Sequence, residues 1–264
     1  MIGELLPGSV VTVEARLDEG DTAALEAGLH PEEAALVARA VTKRRREFAV
    51  VRSCARRAMV TLGVPPQPVL SGDRGAPRWP RGLAGSMTHC DGYCAAALVR
   101  ATDLASLGID AEPHGPLPEG VGPAVTLPAE RDRLRRLAAG RPEIHWDRLL
   151  FSAKESVYKT WFPLTGKWLD FSEADIELWA DDAGTGGDAG TGSDSGRGGD
   201  AGTAAHGGLR ARLLVPGPTV AGRRVPAFEG RWTVQQGLVA TAIALPYDQD
   251  ESAQSGPRSG SGTP

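Results

Sequence analysis

WDRLLFSAKESVYKTWFPLTGKWLDF (residues 146–171) is the stretch around which the rest of the chain is organised. Trp146, Leu149, Leu150, Ala153, Val157 and Trp161 recur at helical spacing, which predicts an amphipathic helix with one apolar stripe. Glu155 and Lys159 stand four residues apart on the other face, where their side chains are neighbours. Pro163 disfavours helical backbone at the residue before it, so the helix is predicted to end at Phe162. Taken alone, Glu155 and Lys159 read as a solvated ion pair worth about 0.3–0.5 kcal/mol. Whether they do more depends on what the rest of the chain brings to them.

The chain has 264 residues, of which 41% are hydrophobic, with a net charge of −4. That is enough for a buried core in one large or two small domains. No overall basic excess suggests a nucleic-acid partner, so any phosphate site must come from local clustering. The three cysteines, Cys54, Cys90 and Cys94, are an odd set that fits a reducing compartment better than a disulfide framework. His89 with Cys90 and Cys94 lacks the fourth ligand of a structural zinc site. Neither a signal-peptide pattern nor an apolar run near the ~20 residues of a membrane span is present. The expectation is a soluble, cytoplasmic protein with no membrane partner.

Ser9 to Glu14 suits a strand. Pro31 opens a helix, with Glu32 and Glu33 matching the helix dipole. Its pattern runs to Gly63, broken between the turns of Val41 and Phe48 by a kink or a junction of two helices. This segment carries Lys43-Arg44-Arg45-Arg46, then Arg52, Arg56 and Arg57. A solvated face paired with Glu32, Glu33 and Glu47 explains most of these charges. Arg44 and Arg52 can nonetheless share one helix face, and two guanidiniums there suit a phosphate. Val69-Leu70 reads as a short strand and Ser71 to Pro77 as a turn, whose Gly72 and Gly75 let backbone N–H groups approach a ligand. Ser86 to Cys90 leads into an apolar strand from Tyr93 to Val99. His89 has small polar neighbours at the mouth of that strand; a hydrogen-bonded structural histidine is the competing reading.

Leu107 to Pro113 (LGIDAEP) is the second informative stretch. Strand alternation sends Ile109 and Ala111 to the core, and Asp110 and Glu112 together to the other face. Two such carboxylates repel unless they lie on a wet edge or share a cation. Magnesium fits, because it takes oxygen ligands from one or two carboxylates and from substrate phosphates. Farther on, Pro116 to Leu127 reads as loop and Pro128 to Ala139 as a basic helix closed by Gly140. Ala174 to Ala180 and Leu209 to Val215 read as strands. Glu229 to Val234 and Leu238 to Leu245 form a hairpin. Asp181 to Gly208 is Gly/Asp/Thr/Ser/Ala-rich and is expected to be a disordered insertion, as is the tail from Asp248 to Pro264.

A strand-borne Asp-x-Glu, a helix-borne Glu and Lys, an arginine-rich helix and a Gly-rich turn followed by Thr88-His89 are the equipment for a phosphorylated ligand held through magnesium. In order and wording they resemble the 4′-phosphopantetheinyl transferase superfamily. Within it the resemblance is to the monomeric class of the enterobactin-synthetase component D and surfactin-synthetase-activator types, nearest to the actinobacterial branch. The resemblance rests on GIDAE (108–112), FSAKESVYK (151–159), GDRGAPRWP (72–80) and SMTH (86–89), and it spans roughly Leu6 to Leu245. It implies an α+β fold: a pseudo-two-fold pair of similar halves, each a helix packed on an antiparallel sheet, with the active site in the cleft between them. The halves would be residues 1–107, bearing coenzyme A-binding elements, and 108–247, bearing magnesium and catalytic elements.

The resemblance further implies transfer of 4′-phosphopantetheine from coenzyme A to a serine of apo acyl or peptidyl carrier proteins, releasing adenosine 3′,5′-bisphosphate, by a monomer. Arg44, Arg52 and His89 would contact the 3′-phosphate region. Ser71, Gly72, Asp73, Arg74 and Thr88 would border the nucleotide, and Leu169 would line the ligand. Asp110, Glu112 and Glu155, with the backbone region of Ala111, would hold Mg²⁺. Glu155 and Lys159 would be catalytic, the first as ligand and base, the second stabilising the pyrophosphate. Ser71 stands where relatives can carry lysine, so that cationic contact is missing or falls to Arg74. Two other classes stay open on the sequence. One is a metal-dependent nuclease or phosphodiesterase, although those usually place Glu-x-Lys on a strand. The other is a non-catalytic coenzyme A- or nucleic-acid-binding module using the Lys43 to Arg57 face.

Overall fold

The computed structural model describes residues 1–17, 22–181 and 204–248. Residues 182–203 and 249–264, which hold most of the expected disordered insertion and tail, lie outside them. In chain order the helices are α1 (Thr22–Ala27), α2 (Pro31–Val37), α3 (Thr42–Thr61), α4 (Val121–Val125), α5 (Pro128–Gly140) and α6 (Trp146–Thr165). The strands are β1 (Val11–Arg16), β2 (Leu70–Ser71), β3 (Pro77–Arg78), β4 (Leu83–Cys90), β5 (Tyr93–Arg100), β6 (Ser106–Pro113), β7 (Ala174–Ala180), β8 (Ala205–Leu213), β9 (Thr219–Val220), β10 (Arg223–Arg224), β11 (Ala227–Gln235) and β12 (Leu238–Leu245).

The architecture is α+β and built twice. In the first half the antiparallel sheet β1-β5-β4 carries the 20-residue α3. In the second the antiparallel sheet β6-β12-β11-β8-β7 carries the 20-residue α6. Val50, Val51, Cys54, Ala55, Ala58 and Met59 of α3 pack on Cys94, Ala96 and Leu98 of β5. The other face of β5, through Ala95, Ala97 and Val99, packs on Leu107, Ile109 and Ala111 of β6 and Ala240 and Ala242 of β12. β5 is therefore covered on both sides, which is why it reads as a continuous apolar run rather than an alternation. The α6 stripe from Trp146 to Trp161 packs on Ile176, Leu209, Phe228, Trp232, Val239 and Ile243.

Several assignments differ from the sequence reading, the first being α4 (Val121–Val125), a short helix inside the stretch read as loop. The α2–α3 junction lies at Ala38–Val41, earlier than the expected break, with Val41 at the N-cap of α3 and exposed. α6 does not stop at Phe162: Pro163 sits inside it, and the helix runs on to Thr165. A proline in a helix interior costs about 3 kcal/mol. Here burial of Trp161 and Phe162 favours the continued turn. Gly166, at φ 64°, closes it by donating its N–H to the Phe162 carbonyl at 2.8 Å. Finally, Ala205 to Gly208 belong to β8 and not to an insertion; their N–H and C=O groups are placed in the ladder with β11 and β7. Glycine is required at 207, since a Cβ there would stand 2.0 Å from the Trp179 carbonyl oxygen.

Candidate active site

α6 lies unusually close to β6. A Cβ on Gly108 would stand 2.1 Å from the Ser156 carbonyl oxygen, so glycine is what lets the helix reach the strand. Beneath the helix, Lys154 and Glu130 of α5 form an ion pair at 2.8 Å with both side chains excluded from solvent. Lys154 Nζ also donates to the carbonyls of Phe171 at 2.7 Å and Ala174 at 2.6 Å. The Glu130 carboxylate accepts from the N–H groups of Leu127 and Ile176. The Lys154 ammonium is pushed down by burial and held up by Glu130. This anchor fixes the helix one residue before Glu155.

Lys159 does not pair with Glu155, as its helical spacing suggested. It crosses to β6, where Nζ donates to Asp110 Oδ1 at 2.7 Å and to the Ile109 carbonyl at 3.1 Å. Asp110 is buried, and its Oδ1 also accepts from the Thr88 hydroxyl at 3.2 Å. That hydroxyl accepts in turn from Ala111 N–H at 3.1 Å, and Ser86 Oγ accepts from Ile109 N–H at 3.1 Å. Hydroxyls of β4 thus stand in for a neighbouring strand along the edge of β6 and join the two halves. Glu112 pairs with Arg148 of α6 at 3.0 Å, and Arg148 also donates to the carbonyls of Gly115 and Pro116. Glu112 is raised by burial and then by Asp110, with Arg148 opposing. Glu155 is half-buried and raised by burial, with Lys159 opposing and Asp110 adding.

As the side chains stand, no three His, Cys, Asp or Glu residues among those described are gathered closely enough to hold a metal ion. The donor chemistry nevertheless fits a hard divalent cation. Asp110 Oδ2 is buried with no hydrogen-bond partner among the described residues. Glu155 makes no hydrogen bond or ion pair with another described residue. Asp110 disfavours charge on Glu112, and all the available donors are carboxylate oxygens.

Both halves contribute to one cavity of about 790 Å³. Arg44, Arg52, Ser71, Gly72, Asp73, Arg74 and His89 line it from the first half, and Glu155, Tyr158, Lys159 and Phe162 from α6. Arg44 Nη1 is hydrogen-bonded to His89 Nε2, and His89 Nδ1 lies 3.5 Å from Glu47. Burial, then Arg44, Lys159 and Arg52, push His89 down to about 4. Arg52 lies 3.2 Å over the Phe48 ring and donates to the Val69 carbonyl. Burial lowers it to about 10, so it remains a cation at neutral pH. Arg74 adopts φ 54° at the rim and faces the Trp168 ring at 5.2 Å.

Some expected ligand contacts are elsewhere. Thr88 does not line the cavity; it is buried, with its hydroxyl committed to β6. Leu169 lies in the core beside α6. Asp110, Ala111 and Glu112 flank the cavity without lining it. The sequence reading also passed over Arg148, the Lys154–Glu130 pair and Tyr158, whose ring packs against Phe162 and Trp168 and whose hydroxyl is buried without a partner among the described residues. Tyr158 and Phe162 had a usable signal: they stand four apart on the face adjoining Glu155 and Lys159. Lys154 had none, since nothing in its local sequence announces a buried ammonium.

A two-half α+β protein with a cationic, carboxylate-flanked cleft suited to a phosphorylated ligand is the class that fold and site define. Residues 32–99 match the family model of the 4′-phosphopantetheinyl transferase N-terminal domain, and residues 106–197 match that of the 4′-phosphopantetheinyl transferase superfamily. The chain is 56% identical to the 4′-phosphopantetheinyl transferase Svp of Streptomyces mobaraensis over 245 residues, covering 93% of this chain and 89% of that protein. It is 48% identical to the transferase PptT of Mycobacterium tuberculosis over 81% of this chain and 85% of the relative. With Npt of Nocardia iowensis it shares 44% identity over 92% and 99%. The chain belongs to the 4′-phosphopantetheinyl transferase superfamily. Its activity is coenzyme A-dependent transfer of 4′-phosphopantetheine to a carrier protein, which sets aside the nuclease and non-catalytic readings. Among the described residues, no helix is long and apolar enough to cross a membrane.

Proposed function

We propose that the cavity holds coenzyme A with its 3′-phosphate toward Arg44, Arg52 and His89 and its nucleotide bordered by Ser71, Gly72, Asp73 and Arg74. The single observation that supports this is the meeting of Glu155 and Lys159 with those arginines and His89 around one cavity. Asp110, Glu112 and Glu155, near the backbone of Ala111, are the residues that would hold Mg²⁺. When bound, that ion would neutralise charge on the pyrophosphate and its leaving group. Lys159 supplies a second positive charge at the same place. A serine hydroxyl of the carrier attacks the phosphorus attached to the pantetheine arm, and the bond from that phosphorus to the bridging oxygen of the pyrophosphate breaks. The serine proton passes to Glu155, which lines the cavity together with Lys159. Adenosine 3′,5′-bisphosphate leaves. Thr88 and Leu169 act from beneath the surface, the first by holding Asp110, the second by backing α6.

In this reading residues 1–107 supply the coenzyme A-binding elements and 108–247 the metal and catalytic elements, and the enzyme works as a cytoplasmic monomer on acyl or peptidyl carriers. Incubation of the protein with coenzyme A, Mg²⁺ and a panel of apo fatty-acid, polyketide and peptide carriers tests it. Mass spectrometry should show one phosphopantetheine added to the carrier serine. Glu155→Gln should keep the circular-dichroism spectrum and lose most of the transfer. Near-full activity of that variant would remove Glu155 from the mechanism, and no modification of any carrier would refute the substrate class.

A further inference from the structure

Thr241 belongs to no motif in the sequence and lies outside the cavity, yet it stands at the centre of the joint between α6 and its sheet. It is directly opposite Asp110 in the β12–β6 register. Its side chain and those of Ser152 and Ser156 are all at 0% exposure. Thr241 Oγ1 donates to the Ser152 carbonyl at 3.0 Å. It lies 3.0 Å from Ser152 Oγ and 2.7 Å from Ser156 Oγ, so both serine hydroxyls can donate to its two lone pairs. Ser156 Oγ is also within 3.2 Å of the Thr241 carbonyl. The two serines flank Glu155 on the same turn of helix. The next residues on this face of β12, Val239 and Ile243, are apolar and pack on α6 without directional bonds. An apolar side chain at 241 would fill the space equally well. The hydroxyl adds direction, which fixes the helix in rotation and depth against the strand next to Asp110.

We propose that Thr241 is a positioning residue: through Ser152 and Ser156 it sets the placement of Glu155 relative to Asp110, so that both carboxylates reach one cation. This rests on the proposed role of those carboxylates. Thr241→Val keeps shape and removes the hydroxyl, Thr241→Ser restores a hydroxyl, and Ser152→Ala removes one partner while sparing the bond to the Ser152 carbonyl. Mn²⁺ affinity in the presence of coenzyme A is read by electron paramagnetic resonance, with kcat, the KM for coenzyme A and thermal unfolding measured alongside. Loss of a partner behind metal ligands typically weakens metal binding or activity about 10–100-fold. Thr241→Val should therefore lose about tenfold or more in Mn²⁺ affinity and in kcat, with the KM for coenzyme A within about twofold. Thr241→Ser should recover to within about threefold and Ser152→Ala should fall between. A Thr241→Val protein that melts earlier but binds Mn²⁺ and turns over like the parent overturns the proposal. If that variant fails to fold, parental Mn²⁺ affinity and kcat in Ser152→Ala overturn it instead. Asp110→Asn and Glu155→Gln separate the two levels: should neither weaken Mn²⁺ binding, the carboxylate assignment itself fails.

Discussion

Gly108→Ala asks whether the active site depends on how closely α6 approaches β6. Alanine suits a strand better than glycine does, so local propensity predicts a small gain. The tertiary contact predicts the opposite. The new Cβ would stand 2.1 Å from the Ser156 carbonyl oxygen, 2.5 Å from Thr160 Oγ1 and 2.9 Å from the Thr160 nitrogen. Two of these obstacles are helix backbone, which cannot swing aside as a side chain can, so the helix must withdraw by about 1 Å. The Lys159–Asp110 bond, now 2.7 Å, would then stretch beyond hydrogen-bonding range. Overpacking of this kind costs about 1–3 kcal/mol, and the rigid obstacle places this case at the upper end. A melting temperature lower by about 6–12 °C follows for a chain of this size. Well below that temperature, a misplacement of about 1 Å at catalytic groups should lower kcat/KM by about 10²-fold. Thermal unfolding and the rate of holo-carrier formation measure the two effects. Gly140→Ala, where a Cβ meets nothing within 4 Å, is the control and should be nearly silent. Parental melting together with at least half the parental rate in Gly108→Ala would refute the close-approach argument.

Two further outcomes follow from groups away from that contact. Lys154→Met leaves the Glu130 charge buried and the Phe171 and Ala174 carbonyls unpaired, which should cost about 3–5 kcal/mol in chemical denaturation; a loss under about 1 kcal/mol would show the pair to be dispensable. His89 binds its proton at about 4 in the fold, below the ~6.5 of the unfolded chain. The unfolded state therefore takes up more protons between those values, so the His89 contribution is whole above pH 6.5 and is lost as pH falls toward 4. Between pH 7 and 5, His89→Gln should consequently lose less stability than the parent, and a parental slope in the variant would contradict the assigned environment.

Much of the fold was legible because burial leaves a period in the sequence. The stripe from Trp146 to Trp161 announced a helix with one face to the core, and the alternation around Asp110 announced a strand with its carboxylates turned from it. The family-like runs at 108–112 and 151–159 carried the activity. Local rules failed where tertiary packing outweighed them. Pro163 argued for a stop that buried Trp161 and Phe162 override. Ala205 to Gly208 were compositionally part of a polar insertion, but strand pairing with β7 and β11 claims them.

The sequence by itself determined which side chains share a face, because helical and strand periods are local geometry. It therefore placed Glu155 and Lys159 together on α6, and Asp110 and Glu112 together on β6. Only the tertiary structure decided partners. Lys159 bonds to Asp110 across 49 positions rather than to Glu155 across four, Thr88 holds Asp110 instead of facing the cavity, and Thr241 clamps the turn that carries Glu155. These pairings depend on how far the helix can sink toward the strand. Gly108 sets that depth by the absence of one carbon atom, a steric fact with no period in the sequence.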